Sequence, residues 1–211
     1  MSVSLSSLNT RLQAMVPARN GVPADYDAII KAAAADYGQR RPVKRRTTIN
    51  IVSGTATYNL PSDFQAMMWF EDLSDVDSTG TVITSDGALI PVGDDDDEAW
   101  EIVGGQIPFY PTPTFTQDRY LWYEAGHVLD SSSNFPLMTE ADTGPVLLLA
   151  QAMALEEQAS AAAQEAWAYT TGDQQVDKRT LAKAMQEQAK HLRQQYEEAV
   201  GSSVGPILMR G

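Results

Sequence analysis

The sequence predicts an α+β fold: a helical bundle, built from N-terminal helices and two long C-terminal helices, that carries an antiparallel β-rich insertion. Three observations point there. Apolar residues recur at helical spacing before residue 40 and after residue 144. Between them, short β-branched and aromatic stretches alternate with tight-turn signals. The chain then returns to a helical period, so the strands interrupt a bundle instead of preceding one. The expected divisions are 1–44 for the N-terminal helices, 45–127 for the insertion, 137–200 for the long hairpin and 201–211 for a flexible docking tail. With 211 residues, 43% apolar and 20% charged, the chain is long enough to bury a real core and is composed like a globular protein.

In order along the chain, residues 1–16 predict a short helix capped by Ser6 or Ser7, with Leu8, Leu12 and Met15 on one stripe. This N-terminal stretch has neither the basic start nor the long apolar core of a secretory signal. A breaker-rich link from Pro17 to Pro23 follows. Asp25 opens a second helix ending near Gly38, with Tyr26, Ile30, Ala33 and Tyr37 on one face and an Asp27–Lys31 pair one turn apart. Gly38 is placed to terminate it, and Arg40 and Arg41 suit the negative end of its dipole.

Strands are then expected at 47–52, 56–60, 67–70, 81–84, 88–90, 100–103, 106–110 and 119–124, with turns at Gly54, Gly80, Gly87 and Gly105. They describe an antiparallel sheet or small barrel. The first long C-terminal helix should be capped by Asp142 or Thr143, with Pro145 in its first turn. Its stripe is Leu148, Ala152, Leu155, Ala159, Ala162 and Ala166, and small alanines let backbones approach closely. Asp173 caps the second, whose stripe is Leu181, Met185, Leu192 and Tyr196. A helix reaching Val200 would span about 40 Å, more than a compact core of this size needs. After it come a flexible spacer and the apolar cluster Pro206, Ile207, Leu208 and Met209.

Charge is polarised. Arg40, Arg41, Lys44, Arg45 and Arg46 hold five of the fifteen basic residues. Between Glu71 and Glu101 stand eleven acidic residues and no basic one. Each run is either a solvated face or half of a contact in which a basic edge meets the acidic edge of a neighbouring copy, a head-to-tail geometry that closes into rings.

Chemistry for catalysis is thin. Cysteine is absent, which excludes disulfides and thiolate metal sites, and His127 and His191 are the only histidines. No nucleotide-binding glycine loop and no nucleophile elbow occurs. Asp75, Asp77, Thr79 and Asp86 loosely echo a calcium loop, but no helical pattern flanks them, and a polar hairpin loop is the simpler reading. No enzyme, metal or cofactor is expected. The longest apolar run, Val146 to Ala150, is far too short to span a membrane. A pI near 4.4 argues against specific DNA binding, which gains affinity by neutralising phosphates. The same acidity suits a conduit that lets DNA slide, so the loop Asp94, Asp95, Asp96, Asp97 and Glu98 is expected at a channel or its rim.

Tyr58, Leu60, Pro61, Asp63 and Phe64 spell Y-x-L-P-x-D-F. Physically this is strand-exit chemistry: Tyr58 and Leu60 share a face, Pro61 stops the ladder, Asp63 turns the backbone and Phe64 returns to the core. The stretch resembles the signature of tailed-bacteriophage head-to-tail adaptor (head-completion or neck connector) proteins. Further features follow in matching order: the acidic tract before Trp100, the Pro111 and Pro113 turn, the L-x-Y-x-A-x-H of Leu121, Tyr123, Ala125 and His127, and two Ala- and Gln-rich helices. The ordered set, covering roughly residues 25–200, carries the resemblance.

The resemblance implies a non-enzymatic homo-oligomeric ring, often a dodecamer. It would sit in the virion neck between the portal protein and the tail or next neck ring, made in the host cytoplasm, with duplex DNA passing through unbound. It also implies that the C-terminal cluster at 206–209 docks on the portal. Two other readings stand beside it: a tail-terminator or tail-tube protein of the same virion, and a ligand-binding protein or enzyme using Trp100, Tyr123 and His127.

Overall fold

In the computed structural model, residues 2–70, 99–100, 102–110, 112–114, 116–168 and 178–201 are described. The chain divides into a helical unit, Met1–Pro42 with Gly126–Gly211, and a β unit, Val43–Ala125. Its mixed α and antiparallel β composition, with two long C-terminal helices, is the expected fold class.

The helical unit opens on β1 (Val3–Ser4), which pairs antiparallel with β8 (Asn134–Phe135). Helix α1 (Leu5–Met15) is capped by Ser4, whose side chain accepts the Ser7 N–H at 3.2 Å. The helix starts earlier than expected, so Ser6 and Ser7 fall inside its first turn. Leu5, Leu8 and Leu12 are buried, while Met15 is 53% exposed, because the chain leaves the helix there and Val16 turns inward in its place. Helix α2 (Tyr26–Arg40) is capped by Asp25 as expected, and Tyr26, Ile30, Ala33 and Tyr37 are all buried. It does not end at Gly38. Arg41 closes it with φ −134°, its N–H bonded to the Tyr37 carbonyl at 2.8 Å, so no left-handed residue is needed. Asp27 accepts a hydrogen bond from Asn9 of α1.

Helix α3 (Glu140–Ala168) starts before its expected cap. Asp142 instead reaches back: its Oδ2 accepts from both the N–H and the hydroxyl of Thr139, at 2.7 and 2.6 Å, the reciprocal half of a capping box. Pro145 therefore lies inside the helix, in its second turn. Ala152, Leu155 and Ala159 of the expected stripe are buried, and Leu148 is partly so. Val146, Leu147, Leu149, Ala150 and Ala154 are buried too, so α3 meets neighbours on more than one face. Helix α4 (Lys178–Gly201) lies against it and buries Ala182, Met185, Ala189, Tyr196 and Val200, and the Tyr196 hydroxyl donates to Asp36 of α2 at 2.5 Å. The expected Leu181 is 42% exposed, because Ala182 takes the inward position and brings the backbones closer. Arg193 Nε and Nη2 fork onto Glu156 of α3 at 2.6 and 2.7 Å. The expected cap Asp173 lies outside the described residues.

In the β unit, β2 (Val43–Ile51), β4 (Phe64–Phe70) and β7 (Gln117–Ala125) form one antiparallel sheet in the order β2-β7-β4. The β2–β7 ladder runs unbroken from Val43↔Ala125 to Ile51↔Gln117, whereas β4 meets β7 with two irregularities. A second sheet has the order β3-β6-β5, from β3 (Thr57–Asn59), β5 (Ala99–Trp100) and β6 (Gln106–Tyr110). Strand β2 begins four residues before the expected start at Thr47, so Lys44, Arg45 and Arg46 of the basic cluster are part of the ladder. The strand candidates at 81–84 and 88–90 lie outside the described residues. On β7, Arg119, Leu121, Tyr123 and Ala125 are buried and the residues between them are not, the alternation of a sheet with one covered face.

Candidate assembly interface

The Y-x-L-P-x-D-F stretch is a brace made of side chains. The Tyr58 hydroxyl accepts the Val52 N–H at 2.8 Å and lies 3.0 and 3.1 Å from the carbonyls of Thr55 and Val52, to one of which it donates. It thereby holds the turn around Gly54, a left-handed residue at φ +81°. The Tyr58 ring meets Phe109 edge-on at 5.5 Å. The Leu60 N–H donates to the Gly105 carbonyl, and Pro61 accepts from the Phe64 N–H. Asp63 does more than turn the backbone. Its Oδ2 takes Arg45 Nη1 at 2.7 Å and its Oδ1 takes the Tyr123 hydroxyl at 3.0 Å, joining β2 and β7 to the segment that leads into β4. That hydrogen bond holds the Arg45 guanidinium above its ordinary pKa, and burial together with Asp63 raises Tyr123. Phe64 is half-buried and stacks on Tyr123 at 5.8 Å.

The basic run is divided between the two units. In the helical unit, Arg40 bridges Asp36 at 3.1 Å and Glu197 at 2.5 Å, 5.4 Å from the centre of the Tyr196 ring. Arg41 Nη2 reaches the Ala199 carbonyl at 3.4 Å. In the β unit, Lys44 stands opposite Glu124 in the ladder, Arg45 is taken by Asp63, and Arg46 lies over rings. Two of the five charges are therefore already neutralised by carboxylates. The acidic loop Asp94 to Glu98 and the tail residues Pro206, Ile207, Leu208 and Met209 lie outside the described residues.

Over residues 4–205 the chain matches the family model described as SU10 adaptor protein. The chain belongs to the SU10 adaptor protein family. This is a family of phage structural adaptors and not of enzymes, which makes the chain a virion component that contacts other phage head or tail proteins. No curated protein matches it.

For this SU10 adaptor family member, two residues of the enzyme reading make packing and hydrogen-bond contacts within their own units: Tyr123 with Asp63 and Phe64, and His127 with Tyr37. The His127 ring is buried and stacked on Tyr37 at 5.3 Å. Burial pushes its pKa below the ordinary value, against Asp142 and a bond to the Arg41 backbone. The Tyr37 hydroxyl donates to Asp142 at 2.6 Å; burial and that bond push it up to about 12. Burial raises Asp142, but the bonds from Thr139 and Tyr37 outweigh it and leave the carboxyl below its usual range. His191 is exposed beside Gln195. A cleft of about 470 Å³ is lined by Arg19, Asn20, Gln158, Glu165, Leu181 and Met185, with neither Tyr123 nor His127 among its walls. Among the described residues no cluster of His, Asp and Glu could hold a metal, and no helix is long and apolar enough to cross a membrane.

Sequence reasoning missed the exposed aromatic surface of the β2-β7-β4 sheet, where Trp69, Tyr120 and Trp122 keep 51%, 39% and 40% of their surface. The signal was present: Tyr120 and Trp122 alternate with the buried Leu121 and Tyr123, and both cannot face one core.

Proposed function

We propose that this chain is a head-to-tail adaptor: a ring of copies in the neck of a tailed-phage virion, between the portal protein and the tail, open at its centre for DNA. The carrying observation is the match to an adaptor family over residues 4–205, with the Y-x-L-P-x-D-F brace inside it. Twelve copies is the number the resemblance suggests. Polarised charge supports head-to-tail closure, and the net charge of −13 supports a channel that DNA traverses without being gripped, with Asp94 to Glu98 at its wall. The apolar cluster Pro206 to Met209, tethered by a Gly- and Ser-containing spacer, docks on the portal.

Mass measurement of the chain, alone and with purified portal, tests the reading. A closed oligomer formed alone or on the portal is expected; a monomer under both conditions overturns it. Binding to tail tube in preference to portal would instead identify a tail-terminator. Truncation after Gly201 should abolish portal attachment and leave self-association intact. Normal attachment of the shortened chain removes the tail's assigned role.

A further inference from the structure

Asn20 and Gly21 form the tip of a two-residue hairpin in the link between α1 and α2. Arg19 and Val22 exchange both backbone hydrogen bonds, at 2.8 and 2.9 Å. The residues between them have φ of +51° and +77°, the left-handed pair of a type I′ turn. Helix α3 fixes this hairpin from below: the buried Gln158 donates its Nε2 to the carbonyls of Pro17 and Val22, at 2.8 and 3.1 Å. At the tip, the Asn20 carboxamide donates its Nδ2 to Glu165 Oε1 at 3.0 Å.

Asparagine is among the chemically labile side chains, and its neighbour decides how labile. The chain has five, Asn9, Asn20, Asn50, Asn59 and Asn134, followed by threonine, glycine, isoleucine, leucine and phenylalanine. Only after Asn20 does the next backbone nitrogen lack a shielding side chain. Asn9 lies in a helix, and Asn50, Asn59 and Asn134 lie in paired strands. Asn20 and Gly21 are both exposed, and a Cβ at Gly21 would meet nothing within 4 Å. Among the described residues no group accepts the Gly21 N–H.

We propose that Asn20 is a site of spontaneous deamidation and that Glu165 slows it. The Gly21 nitrogen, having given its proton to hydroxide, attacks Asn20 Cγ. A bond forms between that nitrogen and Cγ, the bond from Cγ to Nδ2 breaks, and Nδ2 leaves as ammonia after taking a proton from water. Water then opens the five-membered imide at one carbonyl or the other, giving aspartate or isoaspartate; nothing is oxidised or reduced. A carboxamide bonded to Glu165 is not free to turn over the next peptide, so the contact with α3 restrains the attack. Either product is an acceptor only, so the bond to Glu165 is lost and a second carboxylate faces the first. Isoaspartate also lengthens the backbone of a turn whose register allows two residues, which pulls the Val22 carbonyl from the buried Gln158 amide. A virion component is not renewed after assembly, so the product accumulates with age.

The test is peptide mapping by mass spectrometry of the folded full chain, aged in mildly alkaline buffer. The peptide holding Asn20 should gain the mass of an amide-to-acid change at least tenfold faster than the peptides holding the other four asparagines. Glu165→Ala should speed conversion at Asn20 and leave the other four as they were, whereas Glu165→Gln, which keeps an acceptor, should age like the wild type. Asn20→Asp should melt below the wild type, and the purified isoaspartate form below that variant. Asn20 intact while another asparagine converts, or all five intact, overturns the site. Acceleration by Glu165→Ala at all five asparagines, or at none, overturns the role of Glu165 and leaves the site standing. An isoaspartate form that melts with the wild type overturns the assigned consequence for the hairpin.

Discussion

Asp63 accepts from Arg45 and Tyr123, residues 18 and 60 positions away in the chain. Its turn-forming role was legible from Pro61 and the residues around it; its partners were not, because only the strand pairing brings them together. Asp63→Ala leaves the Tyr123 hydroxyl without its acceptor and should cost about 1–2 kcal/mol, with little of that from the half-exposed Arg45. The fall of the urea midpoint measures it. His127 sets a pH dependence. Its folded pKa lies below the ordinary 6.5, so the unfolded chain takes a proton that the folded chain refuses. Stability contributed this way is complete above pH 6.5 and falls as pH drops below it. The depressed Asp142 acts in the same direction at lower pH, and Tyr37, raised to about 12, withdraws stability as pH rises beyond 10. Thermal melts from pH 7.5 to 5 should show a shallower decline in His127→Phe, which keeps a ring against Tyr37.

At the scale of elements, the periodicities named the helices and mistook two details for one reason. Alanine hardly registers as apolar, yet it decides which stripe of α4 faces inward. Leu181 looked like the first core residue, and Ala182 holds that place. Ala189 is 1% exposed and lies in the same stripe between Met185 and Tyr196. Ala189→Leu should therefore destabilise by about 1–3 kcal/mol through forced separation of the helices. Leu181→Gln, on the open side, should stay within about 0.5 kcal/mol. Chemical unfolding followed by helical circular dichroism compares the two. Helix ends were the other weak point. Gly38 signalled a stop that α2 ignores, since Arg41 ends it by another geometry, and Thr139 with Asp142 starts α3 ahead of Pro145.

For the whole molecule, the mixed fold class was legible from the change of period, and strand order was not. Strand β7, the last long one in the sequence, lies at the centre of its sheet between β2 and β4, which alternation within single strands cannot reveal. The basic run read as one edge because its residues are adjacent in sequence. It is in fact distributed over the end of α2 and the strand β2, where carboxylates and rings take up most of it. The β unit enters and leaves on paired residues: Val43 and Ala125 are direct partners in the ladder. Replacing residues 45–123 by Asn-Gly should close Lys44 and Glu124 into a tight hairpin and leave a helical unit that melts cooperatively. Loss of a cooperative helical melt in that shortened chain would refute the prediction.

Ladder partners of this kind sit only about 5 Å apart at Cα. In chain connectivity, the whole insertion thus leaves the helical unit at Pro42 and returns to it at Gly126 as the two ends of a hairpin. A strand-rich module of any length whose ends are neighbours meets the same requirement, so the insertion can lengthen or shorten without changing the spacing of the ends that the helices receive.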